Sequence, residues 1–383
     1  MSTNRDQLDR RCGGYVIAGG GTGGHIFPAL ALANELKRRR PESPVVFVGT
    51  KRGLETDLVP RAGYPLETIR AKGIVGKSLG ARLSGGAAVP LGLFDSWRLL
   101  SRHRPRAVVG VGGYASGPVV ATAWARRLPT VIHESNVVPG LTNRLLSRVA
   151  SRVAVGTEAA LAALPGATVV GNPVRDELFT IAPLEGRPAS RRFRILVFGG
   201  SQGAEILNRV VPTALAALAA RGVALDVVHQ AGAAKRGRGF DAADVERVYA
   251  AAGFPAGTAR EFLHDMRSEY EAADLVVCRS GAMTAAEIAA AGRPALLVPF
   301  AGATHNHQEA NARALERAGA AVVLLEREAT PEKLAEAVAA LLREPSRLET
   351  MGRAARAVAR PDAASRLCDL VFEVERKGSE GVR

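Results

Sequence analysis

At 383 residues the chain is too long for one ordinary core and suits two domains of about 100–200 residues each. Its 47% hydrophobic and 23% charged content excludes a disordered chain, and a formal net charge of +14 calls for an anionic partner: nucleic acid, membrane lipid or a phosphorylated substrate. Cys12, Cys278 and Cys368 are odd in number and form no CxxC pair, which excludes a disulfide framework and a cysteine zinc site and fits reduced thiols in a cytosolic protein.

The opening MSTNRDQLDRRC is polar, unlike a secretory signal, and no stretch approaches the ~18 uncharged apolar residues of a membrane span. From there short apolar runs alternate with Ala/Leu-rich amphipathic stretches. Strands are predicted at Tyr15–Ala18, Val45–Val48, Ala107–Val111, Thr130–His133, Val153–Val155 and Thr168–Val170. A second series follows at Arg194–Phe198, Leu225–His229, Leu275–Cys278, Ala295–Pro299 and Ala320–Leu325. Short continuous apolar strands separated by helices predict parallel sheets covered on both faces. Between the series, Gly171–Arg194 is rich in Pro and charge and reads as a linker. The expected architecture is α/β, two doubly wound Rossmann-like domains facing a cleft. Residues 1–174 form the first, 175–358 the second, and 359–383 a helical segment packed on either.

Each series opens with a strand running into a glycine-rich turn: YVIAGGGTGGH in the first, RILVFGGSQGA roughly 180 residues later. Backbone amides of such a turn, with the helix start behind it, suit a pyrophosphate. Gly19, Gly21 and Gly24 also satisfy GxGxxG, so a nicotinamide or flavin site and a purely structural turn stand as alternatives. The dinucleotide reading wants an acidic residue ending the second strand, whereas that strand ends in Val48-Gly49-Thr50. His25 follows the first loop directly. A helix start disfavours imidazolium, so the ring is expected to stay neutral and able to accept a proton; a plain core or surface histidine is the alternative.

Eight motifs in register then give a specific resemblance. They are GGGTGGHIFPALALA from Gly19, VGVGGYASGP at 109–118, HESN at 133–136, GNPVR at 171–175, GGSQGA at 199–204, EFLHDM at 261–266, CRSGAMTAAEI at 278–288 and HQEANA at 307–312. With these the chain resembles the MurG family of N-acetylglucosaminyltransferases, which make lipid II from lipid I in peptidoglycan synthesis. The resemblance implies the two-domain GT-B fold, an N-terminal half for the lipid-linked acceptor and a C-terminal half for UDP-N-acetylglucosamine. It implies inverting displacement without a cofactor, and His25 and Glu134 as catalytic candidates. By motif position Thr22, Gly23 and Gly24 reach the transferred sugar and phosphates, and Tyr114 and Asn136 line the acceptor side. Arg175 and Ser201 meet the donor, the backbone of Leu263 reads the uracil edge, and Ala282, Met283 and Thr284 open a helix towards the diphosphate. Glu287 grips the ribose and Gln308 reads the sugar hydroxyls. Ser135 departs from the family's usual Gln. His305, Asn306 and His307 are placed like metal ligands, but no DxD or carboxylate cluster accompanies them, so no metal is expected.

The stretch from 70 to 98 interleaves Arg70, Lys72, Lys77 and Arg82 with Ile74, Val75, Leu79, Leu83, Leu91, Leu93 and Phe94. A buried helix with basic flanks is one reading. A lipid-borne acceptor favours the other, a patch of Lys72, Ile74, Val75, Lys77, Leu79 and Arg82 resting on anionic lipid at the cytoplasmic face of the membrane. Nucleic acid is disfavoured as a partner by the 5% aromatic content and the absence of aromatic-interleaved basic motifs. The nearest rival function is a UDP-sugar epimerase on the same fold, which needs neither acceptor nor patch.

Overall fold

A computed structural model describes residues 13–21, 23–51, 53–71, 79–187, 192–200, 203–232, 240–303 and 306–380, the side chains of 79–88 and 379–380 excepted. The chain divides into two compact units, one of residues 1–174 with 362–383, the other of 175–361.

The first unit holds a seven-stranded sheet of β1 (Gly13–Ala18), β2 (Val45–Gly49), β3 (Leu66–Thr68), β4 (Pro105–Gly110), β5 (Thr130–Glu134), β6 (Arg152–Val155) and β7 (Thr168–Val169). Its order is β3-β2-β1-β4-β5-β6-β7, and every pairing is parallel. Alternation along β1 explains the layering, because successive side chains leave opposite faces. Tyr15 and Ile17 pack with Leu32 and Leu36 of α1 (Gly23–Arg39) and with Leu367 and Val371 of the C-terminal helix. Val16 and Ala18 meet Leu99 and Leu100 of α3 (Leu79–His103) and Val119 and Val120 of α4 (Ser116–Ala125). Two short helices, α2 (Glu55–Arg61) and α5 (Leu141–Leu146), complete this unit before the chain crosses over.

The second unit repeats the plan. Strands β8 (Phe193–Phe198), β9 (Leu225–Gln230), β10 (Ala259–Arg260), β11 (Leu275–Cys278), β12 (Ala295–Leu297) and β13 (Ala321–Val323) form a parallel sheet ordered β10-β9-β8-β11-β12-β13. Around it lie α6 (Glu205–Ala220), α7 (Ala242–Ala251), α8 (Met266–Ala272), α9 (Ala282–Ala291), α10 (His307–Arg317), α11 (Pro331–Leu342) and α12 (Pro345–Ala357). The last helix, α13 (Ala363–Glu380), belongs to the first unit. Glu375 there binds Arg40 at 2.7 Å and accepts from the Tyr15 hydroxyl at 2.9 Å, and the Arg40 guanidinium lies 4.1 Å from the Phe372 ring.

The expected linker needs correction. Leu178, Ile181 and Leu184 are buried in the second unit. Arg356 donates to the carbonyls of Phe179 and Ile181, and the fully buried Arg293 to that of Ala182. Arg187 binds Asp274 at 2.7 Å. The main-chain carbonyls of this stretch are taken up by the second unit's own arginines, so the first crossing between the units falls at Val174 to Arg175 and the second at Pro361 to Asp362. Among the described residues no helix is long and apolar enough to cross a membrane.

Candidate active site

In both sheets the strand order reverses at the first strand, so crevices open where β1 adjoins β4 and where β8 adjoins β11. Open parallel sheets bind ligands at such switch points, beyond the carboxyl ends of the strands. Each glycine turn stands at one of them.

In the first unit, the turn after β1 abuts the turn after β4: a Cβ on Gly113 would lie 2.4 Å from the Gly20 carbonyl oxygen. His25, in the first turn of α1, has Nδ1 3.2 Å from that same oxygen. A carbonyl only accepts, so Nδ1 carries the proton and the lone pair of the neutral ring sits on Nε2. Gly112, at φ +93, makes room for the ring, since a Cβ there would stand 2.7 Å from Cδ2 and 2.9 Å from Nε2. Burial lowers the pKa of His25 below the ordinary histidine value, against opposing pulls from Glu134, the Gly20 carbonyl and Glu55.

Glu134 ends β5 and is buried. Its Oε1 accepts from the Asn136 main-chain amide at 2.9 Å and from Asn136 Nδ2 at 3.0 Å. Oε2 accepts from Gly140 N and Asn143 Nδ2, both at 3.0 Å. The carboxylate thereby ties down the loop from Ser135 to Gly140. Ser135 is buried, and its Oγ has no hydrogen-bond partner among the described residues. Tyr114, on the turn after β4, is 55% exposed. Gly23 and Gly24 open α1, while Thr22 lies outside the described residues.

In the second unit, α9 begins beyond β11 with Ala282, Met283 and Thr284. Its N-cap is Gly281, its first turn holds no acidic residue, and the N-cap supplies no side-chain hydrogen bond to its leading amides. Such a helix start is suited to an anion. In the second turn of the helix, Glu287 has a side chain only 12% exposed. It lies 3.7 Å from Arg175 Nη2 and accepts from the buried Tyr270 hydroxyl at 3.3 Å. Burial raises the Glu287 pKa although Arg175 and Tyr270 oppose the rise. Gln308 Oε1 accepts from Phe300 N at 3.0 Å, which leaves Nε2 as its donor end, and the Gln308 carbonyl accepts from Ser280 Oγ at 2.8 Å. Ser201 lies outside the described residues, as do His305 and the patch residues Lys72, Ile74, Val75 and Lys77; Leu79 and Arg82 fall in α3 with side chains that are not described. Among the described residues no cluster of three or more His, Cys, Asp or Glu could hold a metal ion.

Three contributors escape sequence reading. Gln230, at the end of β9, donates from Nε2 to the Gly200 carbonyl and accepts at Oε1 from Leu263 N, both at 2.9 Å, joining the second glycine turn to the Leu263 loop. Tyr270 fixes Glu287, and Glu55 lies under the first glycine turn. No local pattern marks them, since each acts across the sheet; burial of a polar side chain is their only signature.

A pair of parallel sheets, each with a glycine turn and a helix start at its switch point, defines the class: a two-unit α/β glycosyltransferase of GT-B fold. Residues 15–155 match the N-terminal domain model of glycosyltransferase family 28 and residues 194–367 its C-terminal domain model. The chain is 46% identical over 371 residues to a protein of Anaeromyxobacter sp. (strain K), covering 94% of this chain and 93% of that one. It is 45% identical over 361 residues to one of Myxococcus xanthus, covering 94% and 92%. Both relatives are named UDP-N-acetylglucosamine--N-acetylmuramyl-(pentapeptide) pyrophosphoryl-undecaprenol N-acetylglucosamine transferase. The crystal structure of Acinetobacter baumannii MurG superposes with a TM-score of 0.74 at 32% identity, covering 94% of this chain and 99% of that one. A UDP-N-acetylglucosamine 2-epimerase at 14% identity and TM-score 0.68 shares the fold alone. The chain belongs to the MurG family.

Proposed function

We propose that this chain transfers N-acetylglucosamine from UDP-N-acetylglucosamine to the 4-hydroxyl of the muramyl sugar of lipid I, giving lipid II. The acceptor oxygen attacks the anomeric carbon as the bond to the UDP oxygen breaks, with inversion. The hydroxyl proton passes to His25 Nε2, and the electron pair leaves on the diphosphate. The observation that carries this reading is the 3.2 Å contact of His25 Nδ1 with the Gly20 carbonyl, which assigns the proton to Nδ1 and the basic lone pair to Nε2 at the switch point of the first unit.

Glu134 anchors the acceptor loop instead of acting as a base, because its two oxygens already accept four hydrogen bonds. Tyr114, Asn136, Gly23 and Gly24 line the acceptor side. In the second unit, the amides opening α9 and the Gly199–Ala204 turn with Ser201 bear the diphosphate charge, a preorganised field of the kind that stabilises a leaving anion. Glu287, held by Tyr270 and Arg175, accepts from the ribose hydroxyls, and Gln308 addresses the sugar. The amide of Leu263 is committed to Gln230, so its carbonyl meets the uracil edge.

Membrane lipid is the second partner, and the protein works at the cytoplasmic face. On α3 and its neighbour, Phe94 is 56%, Trp97 52% and Trp124 53% exposed, with Val89, Leu91 and Leu93 beside them. Arg98 lies over Phe94 and Arg126 over Trp97. Apolar side chains ringed by guanidinium groups match a headgroup boundary of anionic lipid.

Transfer of radiolabelled sugar to a lipid I analogue tests the reaction. His25→Ala is expected to lower kcat by about 100-fold or more with UDP affinity retained. Conversion of the donor without acceptor would favour the epimerase.

A further inference from the structure

A buried carboxylate sits under the first glycine turn, and the chemistry above does not use it. Glu55, the first residue of α2, is 1% exposed. Its Oε2 accepts from Gly21 N at 2.8 Å, and its Oε1 accepts from the amide and the hydroxyl of Thr50, both at 3.0 Å. Glycines make its space: a Cβ on Gly20, Gly49 or Gly53 would stand 2.5, 2.6 or 2.0 Å from its side-chain atoms. Burial pushes its pKa up, but the donors from Gly21 and Thr50 outweigh burial and keep it an anion.

An anion beneath a turn that receives a phosphorylated substrate opposes that substrate, so its use lies elsewhere. The Gly21 N–H and the Gly20 C=O belong to one planar peptide group. Glu55 holds the N–H end of that group, and His25 Nδ1 lies against the C=O end at 3.2 Å. A carboxylate accepting from the N–H polarises the peptide and makes its oxygen a stronger acceptor. The arrangement is a carboxylate–imidazole pair with a peptide inserted between its members.

We propose that Glu55 is a positioning residue for the transfer, holding His25 as the Nδ1–H tautomer with its lone pair on Nε2 through the Gly20–Gly21 peptide. The assignment rests on His25 as the base. The other titratable groups facing His25 are Glu134, whose charge also favours the imidazolium, and the buried His133, with which His25 interacts unfavourably when both are charged.

The test uses Glu55→Gln in the full chain, labelled with 15N-histidine and assigned against His25→Asn. The expected result is loss of the pure Nδ1–H signature at His25. A fall in kcat of about 10–100-fold accompanies it, with the KM for UDP-N-acetylglucosamine changed by less than about twofold. The acid limb of the kcat/KM profile moves to lower pH, because removing the Glu55 charge removes one of the pulls that raise the His25 pKa. A loop merely loosened by the substitution would lose rate at every pH without moving that limb. Against His25→Asn, Glu55→Gln is expected to add no further loss, as two groups acting through one step do. An unchanged tautomer, or multiplicative losses in the double variant, would overturn the proposal while leaving His25 as the base. Full turnover by His25→Asn would overturn the base assignment itself, and the tautomer measurement still decides what Glu55 does to the ring. If Glu55→Gln fails to fold, Glu55→Asp keeps the charge and shortens its reach by one methylene. The same weakened tautomer preference and lower kcat are then expected, and wild-type values for both would overturn the proposal.

Discussion

Gly112 shows how little room His25, the proposed base, has. Its backbone is left-handed at φ +93, and an added Cβ would meet the His25 ring at 2.7–2.9 Å. Two penalties therefore fall on Gly112→Ala: the left-handed backbone, which costs about 1–2 kcal/mol for an L side chain, and a displaced imidazole. The expected outcome is a fall in kcat of about 100-fold, with UDP binding preserved because Glu287 and the start of α9 belong to the other unit. Steady-state kinetics beside UDP titration separates the two effects. Glu287 sets a pH dependence of its own. Burial raises its pKa above that of an ordinary glutamate, and in the proposed ribose contact the ionised carboxylate is the stronger acceptor. Donor affinity is therefore expected to be highest above that raised pKa and to weaken as pH falls through it, earlier in the descent than for a solvated carboxylate. Glu287→Gln is expected to weaken donor binding at neutral pH and to flatten its acid dependence; calorimetric titration with UDP across that range checks both.

At the scale of elements, α3 carries the contrast between what sequence conveys and what it withholds. Interleaved cations and apolar residues between 70 and 98 leave a buried helix and a surface patch equally open. Over its described part, α3 buries Leu99 and Leu100 and exposes Phe94 and Trp97, one helical turn apart, while the expected patch residues from Lys72 to Lys77 lie outside the described residues. If this face meets lipid, Phe94→Ser with Trp97→Ser is expected to weaken binding to anionic vesicles by about 10-fold or more. Turnover on a soluble acceptor analogue should stay within about twofold, because neither residue touches the switch point. Vesicle sedimentation at low and high salt reads the first, and binding unchanged by the substitutions would place the membrane face elsewhere. Strands were legible where both faces are buried, as in β1, β4 and β11, because apolar runs are then continuous. The edge strands β3 and β10, three and two residues long and partly exposed, leave no such run. The position of a residue in the candidate site is legible where a motif carries it, as with His25 at the first switch point and Glu287 on α9. Glu55 is not, because the dinucleotide pattern points to a carboxylate at Val48-Gly49-Thr50 and this one arrives at the start of the next helix.

For the whole molecule, the return of α13 means that the first unit is not complete until the chain ends. Leu367, Val371 and Val374 enter the same cluster as Tyr15, Leu32 and Leu36, and Glu373 binds Arg152 at 2.7 Å. Burying such aliphatic side chains is worth about 1.5–3 kcal/mol each, so a charge placed among them is severe for one unit only. Val371→Asp is therefore expected to lower the melting transition of the first unit and leave that of the second, formed by residues 175–361, in place. UDP adds a second axis to the same experiment. It stabilises only the state it binds, by RT ln(1 + [L]/Kd), or about 2.7 kcal/mol at a hundredfold excess over Kd. With the donor site proposed at Glu287, Gln308 and the opening of α9, UDP should raise the upper transition of Val371→Asp without moving the lower one. Differential scanning calorimetry with and without UDP resolves the two. A nucleotide-dependent shift of the lower transition would instead assign the donor to the unit that holds His25, and the division of labour between the two glycine turns would have to be reversed.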